Sequence, residues 1–415
     1  MLTRRTFLRG SAIVMAGMGA VPAWLARAAS VEGKKRKILV AIFQRGAADG
    51  LNIVVPFTEK RYRELRPTLA IAPPSGFVGA SGPNINPIPG NAIDLDGRFA
   101  LNGAMQPLKA LWDQRQLAII EATGSPDSSR SHFDAQDYME SGTSGKTMGG
   151  GWLNRALPPD GAEKSPLRAV AMGNQVARTL RGEHEAIAVG DSQQFNMGNQ
   201  DAAAILENMY ATSADSQWGR TGKDAFEAMK LIQSINRSPY NPQGGAQYGP
   251  GGDLGRSLQQ LARLIKADAG VEAAFAEIGG WDHHGNENPL LSNLLRQFSS
   301  ALAAFCQDMG DRMEDIVLVT MSEFGRTAEE NGNSGTDHGH GSLMMVLGGA
   351  VQGGKVYGKW PGLEKEQLFE GRDLAVTTDF RAVLSELIRG HLGQKDLGPV
   401  FPGFQPGDSL GLLRS

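Results

Sequence analysis

Short, uninterrupted runs of apolar residues recur along the chain, and each has the length of a β-strand. Runs of this kind are typical of strands that are buried on both faces of a parallel sheet. The predicted strands span residues 38–43, 117–122, 271–278, 316–321 and 343–347.

Between these runs, apolar residues recur at intervals of three to four, which predicts amphipathic helices. The clearest cover residues 254–265 and 291–309, and a third is predicted over residues 131–142. Weaker helical patterns lie at residues 202–210 and 224–235. The alternation of strands and helices predicts an α/β fold, with a mostly parallel sheet sandwiched by helices.

One stretch, residues 236–252, is rich in glycine and proline and is predicted to be a loop. The chain shows no internal repeat, and strand and helix patterns of the same kind continue after this stretch. We therefore interpret it as an insertion and expect residues 29–415 to form a single domain.

The first residues resemble an export signal. The segment Thr3-Arg4-Arg5-Thr6-Phe7-Leu8-Arg9 is a twin-arginine pattern, and Ala26-Arg27-Ala28 is a cleavage site of the A-x-A type. Residues 1–28 are thus predicted to be a twin-arginine signal peptide, read by the twin-arginine translocase, which makes the mature protein periplasmic or secreted. An ordinary secretory signal and an uncleaved anchor are the alternatives. The apolar run, residues 11–21, is shorter than the roughly 18–20 residues of a membrane span, so no permanent span is expected.

Composition narrows the possible functions. The 415 residues carry a net charge of -3, and no stretch concentrates lysine and arginine as nucleic-acid binders do, so no nucleic-acid partner is expected. The single cysteine, Cys306, excludes an intramolecular disulfide. It lies in a helical apolar pattern and is predicted to be a core residue.

Polar residues gather just after the predicted strands. In open α/β sheets, ligands bind at the carboxyl ends of the strands. Five of the seven histidines lie in these segments. The candidate residues are Asp49, Arg130, Ser131, His132, Asp282, His283, His284, Glu323, Arg326, Asp337, His338 and His340. Imidazole and carboxylate together are the ligands that zinc or manganese prefers, which predicts a divalent-metal site. The alternative is a polar rim of Asp and His that caps loops.

Several segments resemble a known family. They are RGAADGLN, SHFDAQD, the segment with Trp281-Asp282, SEFGRT and GTDHGHG, and they extend from about residue 38 to residue 381. They are similar to the signature blocks of an exported family named domain of unknown function 1501. That family is similar to the alkaline phosphatase and sulfatase superfamily, whose sheet carries two metals and a Ser, Thr or formylglycine nucleophile. The resemblance implies an alkaline phosphatase-like fold.

The resemblance also implies roles for single residues. Asp49 would be the metal ligand after the first strand, and Asp282 and His284 would bind the first metal. Glu323 would replace a ligand Asp, with Phe324 where a histidine would stand. The segment Asp337-His338-Gly339 has the letters of the superfamily's Asp-His-Gly pattern but comes late in the chain. Asp337 is therefore kept as a candidate ligand, and His338 or His340 would supply the last one. This departure weakens the second metal site, so one or two ions are expected, with zinc favoured.

Ser131 would be the nucleophile by the same resemblance. Its alternative role is that of a helix cap, because Asp134 follows three residues later in a pattern similar to a capping box. Arg130 could hold the anionic group of a substrate or form a surface salt bridge. Arg326 has the same two interpretations.

Two functions follow. The first is an exported metal-dependent hydrolase of phosphate or sulfate (or related anionic) esters, with a small anionic ester as substrate. The alternative is a non-catalytic exported binding or assembly protein that keeps the fold.

Overall fold

The structure is a computed structural model that describes residues 36–77, 91–145, 148–159, 165–190, 216–237 and 239–414. The predicted signal peptide and the helical pattern at residues 202–210 lie outside the described residues.

A central nine-stranded sheet organises the described part of the chain, and a three-stranded sheet lies beside it. The strands are β1 Ile38–Gln44, β2 Val54–Val55, β3 Ile93–Asp94, β4 Ala100–Leu101, β5 Leu117–Gly124, β6 Ala169–Ala171, β7 Ile187–Ala188, β8 Ala273–Ile278, β9 Ile316–Ser322, β10 Ser342–Gly348, β11 Lys355–Tyr357 and β12 Thr378–Asp379.

The strand order of the central sheet is β11-β5-β10-β9-β1-β8-β6-β7, with β12 also paired to β5. Strand β1 pairs in parallel with both β8 and β9, and all other pairs are parallel except those of β10. Strand β10 runs antiparallel to β5 and to β9. The predicted α/β class with a mostly parallel sheet is confirmed.

Helices cover both faces of this sheet. They are α1 Gly50–Ile53, α2 Lys60–Leu65, α3 Lys109–Asp113, α4 His132–Ser141, α5 Trp152–Arg155, α6 Ser216–Asn236, α7 Gly252–Lys266, α8 Glu287–Met309 and α9 Phe380–Gly390. Short 3-10 helices lie at Gly103–Leu108, Arg178–Leu180, Gln243–Gly245, Gly249–Gly251 and Gly310–Asp315.

The core is divided by the sheet, because successive residues of a strand point to opposite faces. In β1, Val40 and Ile42 pack with α7 and α8, whereas Ala41 and Phe43 pack with α5 and α9. Both faces of β1 are therefore dry, which is why its sequence is a continuous apolar run. Cys306 is buried in the first of these two clusters, as predicted.

The glycine- and proline-rich segment connects α6 to α7. One buried carboxylate, that of Asp308 in α8, holds it in place by accepting from the hydroxyl groups of Tyr240 and Tyr248 and from the backbone N–H of Gln243. Within the described residues, no helix has both the length and the apolar character that crossing a membrane requires.

Candidate metal centre

The polar segments that follow the parallel strands meet at the carboxyl edge of the central sheet. The loop after β5 carries Arg130 and Ser131 and leads into His132, the first residue of α4. The loop after β8 carries Asp282. The segment between β9 and β10 folds back on itself, with an antiparallel bridge between Arg326 and His338.

Two glycines allow these loops to touch. Gly46, just after β1, adopts φ +119°, and a Cβ there would lie 2.7 Å from the backbone nitrogen of Asp282. At Gly339, a Cβ would lie 2.4 Å from the carbonyl carbon of Arg326. Any larger residue at either position would push apart the backbones that carry the candidate ligands.

Three side chains form the centre of the site. His132, Asp282 and His338 each offer a ligand atom, and these atoms all lie within 4.8 Å of one another. The Nε2 atoms of His132 and His338 are 3.0 Å apart. The Asp282 carboxylate lies 3.5 Å from Nε2 of His132 and 3.2 Å from Nε2 of His338.

A third histidine, His284, lies beside this group. Its Nε2 atom is 3.0 Å from Oδ1 of Asp282 and 3.0 Å from Nε2 of His338. It can therefore serve as an additional ligand of an ion held by the three central residues.

The opposite ring nitrogen of each histidine faces a hydrogen-bond acceptor. Nδ1 of His132 lies 2.9 Å from Oε1 of Glu323, and Nδ1 of His284 lies 2.9 Å from Oδ1 of Asp337. Nδ1 of His338 lies 3.0 Å from the backbone oxygen of Arg130. With the ring proton on Nδ1, towards these acceptors, each Nε2 carries a lone pair.

This arrangement fits a metal ion. Facing lone pairs at 3.0 Å repel each other unless a cation or a proton lies between them. Ligand atoms about 2.0–2.1 Å from a tetrahedral zinc ion lie about 3.3 Å apart, close to the separations of 3.0–3.5 Å at this site. Histidines that bind metals also donate their other N–H to a carboxylate or carbonyl, as all three do here.

The surroundings favour the ligand forms of Asp282 and His338. Burial alone would raise the pKa of Asp282, but the hydrogen bond and the charge of Arg326 outweigh it, so the pKa lies below its usual value. Burial lowers the pKa of His338, which favours its neutral ring. The pKa of His132 is raised, mainly by the hydrogen bond to Glu323.

Phe324 forms the floor beneath the histidines. Its ring is buried and lies 5.0 Å from those of both His132 and His338. The sequence comparison placed Phe324 where a ligand would stand. In the structure its ring packs against the rings of two candidate histidines and supports them.

Two predicted metal ligands, Glu323 and Asp337, instead accept hydrogen bonds from the Nδ1 atoms of histidines. Glu323 is buried, and its Oε1 also accepts hydrogen bonds from the side chain of Gln136 and the backbone of Gly46. Asp337 accepts from His284 and from the side-chain amide of Asn331. In this structure both carboxylates therefore orient histidine rings, and the metal role predicted for Glu323 and Asp337 stays a prediction.

Asp49 does not join the group either. Both of its carboxylate oxygens accept hydrogen bonds from the guanidinium group of Arg66, at 2.6 and 2.9 Å, and both side chains are buried. Burial would raise the pKa of Asp49, but Arg66 outweighs it and the pKa is lowered. The partner of Asp49 in this structure is thus a guanidinium group, so Asp49 lies outside the group of three candidate ligands and its predicted metal role stays a prediction.

A second buried acid, Glu287, lies near the pair of Asp49 and Arg66. Thr336 donates to Oε2 of Glu287 at 2.7 Å, whereas Oε1 accepts no hydrogen bond from the described residues. Burial, and after it the charge of the nearby Asp49, raises the pKa of Glu287 well above its usual value.

Arg326 connects this buried network to the candidate ligands. Its side chain is fully buried and donates to Oδ1 of Asp282 at 2.8 Å and to Oγ1 of Thr336 at 3.1 Å. Of its two predicted roles, the structure therefore supports the salt bridge, which fixes the orientation of the Asp282 carboxylate.

His340 lies apart from the central group. It is buried and stacks on Phe369, with ring centroids 4.3 Å apart, and burial lowers the pKa of its ring. No metal-ligating cluster of the described residues includes it. In this structure His340 packs against an aromatic ring. The alternation of Gly and His in the sequence does not indicate such a packing role.

Ser131 and Arg130 flank the site. Ser131 is the N-cap residue of α4, yet its side chain makes no capping hydrogen bond. Its hydroxyl is thus not used as the capping-box pattern suggested. The guanidinium group of Arg130 is paired with Glu370 and with Asp373, at 2.6 and 2.8 Å.

His132 is one of the candidate residues after the strands, but the family resemblance implies no metal role for it. The signal was its position directly after Ser131, in the same strand-end segment as other candidates. The resemblance gives the role in this segment to Ser131. Only the structure shows which histidine nitrogens converge.

Comparisons with known proteins agree with the sequence resemblance. The family model described as "Protein of unknown function (DUF1501)" matches residues 36–396. A search of the curated proteins found no match.

Several solved structures resemble the chain, with low sequence identities and low TM-scores. Ps i-CgsB, in complex with k-i-k-neocarrahexaose, is 10% identical and has a TM-score of 0.38, covering 89% of this chain and 74% of that chain. The C-terminal periplasmic domain of EcEptC from Escherichia coli, in complex with Zn, is 8% identical with a TM-score of 0.30, covering 76% of this chain and 74% of that chain. Alkaline phosphatase from the Antarctic bacterium TAB5 is 11% identical with a TM-score of 0.30, covering 76% and 93%. These scores are too low for the likenesses to bear on the chemistry of the site.

Proposed function

The chain belongs to the DUF1501 family, and we propose that it is an exported metal-dependent hydrolase of phosphate, sulfate or related anionic esters. One observation carries the proposal: Nε2 atoms of histidines face one another beside a carboxylate, while their Nδ1 atoms are held by acceptors. An arrangement of facing lone pairs is stable once a cation lies among them.

His132, Asp282 and His338 would hold the ion, with His284 adjacent. Zinc is favoured because its ligands are imidazole nitrogen and carboxylate oxygen, and catalytic zinc sites use three protein ligands and keep an open position. The three side chains are 24% to 44% exposed, which leaves a path for a substrate. A bound divalent ion would polarise the ester as a Lewis acid.

Ser131 is the proposed nucleophile. Its hydroxyl is free of helix capping and lies one residue from His132, at the start of a ten-residue helix. The unpaired N–H groups and positive dipole end of a helix favour an anionic ester and a developing alkoxide. A serine hydroxyl attacks poorly near neutral pH without such activation.

The test measures metal content and turnover together. Protein purified without chelator should contain the divalent metal and hydrolyse a generic aryl phosphate or aryl sulfate ester. Chelation should abolish turnover, and added zinc should restore it. His338→Gln should lose both metal and turnover, whereas the matched variant His391→Gln, altered in a buried histidine at the other edge of the sheet, should keep both. Turnover that survives chelation and His338→Gln would refute the proposal.

The alternative, a non-catalytic exported binding or assembly protein, is favoured by one observation. Asp49 is engaged by Arg66, so this carboxylate adds no ligand to the centre. A protein that holds stoichiometric metal but turns over neither ester class would support this alternative.

We also propose that residues 1–28 direct export through the twin-arginine translocase, on the sequence pattern alone. A route for folded proteins suits a metal site that exists only after folding. Replacing Arg4 and Arg5 by lysine should leave the precursor in the cytoplasm. Continued export from cells that lack the translocase would contradict the proposal.

A further inference from the structure

Two arginines, Arg130 and Arg372, share one buried carboxylate. Oδ2 of Asp373 accepts from Nη2 of Arg130 at 2.8 Å and from Nη2 of Arg372 at 3.1 Å, and Oδ1 accepts from Nε of Arg372 at 2.8 Å. The Asp373 side chain is fully buried. It therefore holds two guanidinium groups side by side from the protein interior.

This pair is attached directly to a candidate metal ligand. The backbone oxygen of Arg130 lies 3.0 Å from Nδ1 of His338, and Nη2 of Arg372 donates to the backbone oxygen of His338 at 2.8 Å. The two positive charges thus lie at the edge of the proposed metal centre and cannot move far from it without disturbing His338.

Both guanidinium groups are partly exposed and retain N–H donors that the described residues do not use. The side chains of Arg130 and Arg372 are 31% and 44% exposed, and within the described residues Nη1 of each makes no hydrogen bond. A planar guanidinium group with free N–H groups matches the oxygens of phosphate and sulfate.

A surface carboxylate occupies part of this position. Glu370, which is 56% exposed, accepts from Nη2 of Arg130 at 2.6 Å. Its backbone φ of +54° is unusual for a residue other than glycine. Asp373 supplies one negative charge to two arginines, and the exposed Glu370 supplies the second from the surface.

We propose that Arg130 and Arg372, held by Asp373, bind the anionic group of the substrate and that this group displaces Glu370. The inference rests on the proposed function and adds to it the part of the site that recognises the oxyanion. Arg372 is new to the site, and Arg130 acts with it as a pair.

Inorganic phosphate, and separately sulfate, can be titrated calorimetrically into metal-loaded protein at fixed ionic strength. Arg372→Gln should weaken anion binding about 10- to 100-fold, the loss expected for a hydrogen bond to a charged group. Glu370→Gln should instead strengthen it, by up to about fivefold, because a competing surface charge is removed. Arg372→Lys, which keeps the charge without the planar fork, should fall between Arg372→Gln and the unaltered protein.

The matched control is Arg312→Gln. Arg312 is also 44% exposed and paired with a surface carboxylate, that of Asp268, but it precedes β9 at the opposite edge of the sheet. This variant should bind phosphate as the unaltered protein does. Equal affinities for the Arg372, Glu370 and Arg312 variants would overturn the subsite.

Metal content measured in each sample separates this inference from the proposed function. Phosphate binding that depends on Arg372 in metal-stripped protein supports the subsite even if no ester is hydrolysed. Absence of phosphate and sulfate binding in both the loaded and the stripped protein would overturn it.

Discussion

Histidine lies at both edges of the central sheet, in opposite arrangements. At the amino edge, His391 is buried, and its Nε2 atom lies 3.0 Å from the backbone oxygen of Ile38 at the start of β1. At the carboxyl edge, Nε2 of His338 lies 3.0 Å from the Nε2 atoms of both His132 and His284. Nε2 of His391 thus has a backbone hydrogen-bond acceptor, whereas the Nε2 atoms of the other three histidines face one another.

Arginine differs in the same way between the two edges. Arg168, just before β6, pairs at 2.7 Å with Glu272, just before β8, and this pair joins two strand ends. Arg326, at the carboxyl edge, pairs with Asp282, which is itself a candidate ligand. Buried charge and buried imidazole therefore do not identify a site by themselves. What identifies it is acceptor atoms that converge without donors between them.

The largest expected effect is on turnover. Ser131→Ala should lower kcat by about 10³-fold or more if the hydroxyl attacks the substrate. Ser385→Ala, which removes a buried hydroxyl in the middle of α9, should leave kcat unchanged. Steady-state kinetics on an aryl ester, with metal content confirmed, provides the measurement. Near-normal kcat in Ser131→Ala would assign the attack to water.

His391 should make stability depend on pH. Burial lowers its pKa from 6.5 to about 4, so in mildly acidic solution the unfolded chain binds a proton that the folded chain does not. The contribution of His391 is therefore complete above pH 6.5 and is lost as pH falls towards 4. It should amount to about 2 kcal/mol between pH 7 and pH 5.

Urea unfolding at pH 7 and pH 5 measures this dependence. His391→Gln should reduce the difference in unfolding free energy between the two pH values by about that amount. An unchanged difference would show that His391 is not held neutral by its burial, and the contrast between the edges would weaken.

Arg326 should affect metal affinity and Arg168 should not. Arg326→Met removes the group that orients Asp282, and loss of such a partner typically lowers metal affinity about 10- to 100-fold. Arg168→Met removes a buried arginine of the other edge, so it should lower stability while the zinc dissociation constant stays the same. Competitive zinc titration of both variants is the check, and equal losses would mean that Arg326 acts through stability alone.

The smallest effect distinguishes two helix starts. Asp379 caps α9, because its Oδ1 accepts from the backbone N–H of Arg381 at 2.8 Å, whereas Ser131 makes no capping bond to α4. Asp379→Ala should lower the free energy of unfolding by about 1 kcal/mol, and Ser131→Ala by less than about 0.5 kcal/mol. Chemical denaturation compares them, and a larger loss for Ser131→Ala would restore its interpretation as a cap.

The positions of strands in the sheet were predictable where all residues of the strand are buried. The runs at residues 38–43 and 316–321 became β1 and β9 within one residue, since strands buried on both faces admit only apolar residues. The direction of β10 was not predictable, because an antiparallel strand buried on both faces has the same apolar composition.

The edge that carries the site was also predictable, but the roles within it were not. Of the predicted ligands, Asp282 and His338 lie together, with His284 beside them, whereas Asp49 and His340 lie outside this group. The assignment of Asp49 depended on a partner, Arg66, that lies in a stretch without any distinctive pattern. Whether a carboxylate binds a metal or a histidine Nδ1 atom, as Glu323 does, is decided by distances of a few ångströms that sequence patterns do not encode.

An anomalous diffraction map recorded at the zinc edge, from crystals of the zinc-loaded protein, tests the metal centre most directly. The account predicts a peak at the carboxyl edge of the sheet, within about 2.0–2.2 Å of Nε2 of His132, the Asp282 carboxylate and Nε2 of His338. Crystals of His338→Gln should show no such peak. A map of the loaded protein with no peak among these three side chains, or with zinc bound elsewhere, would contradict the account.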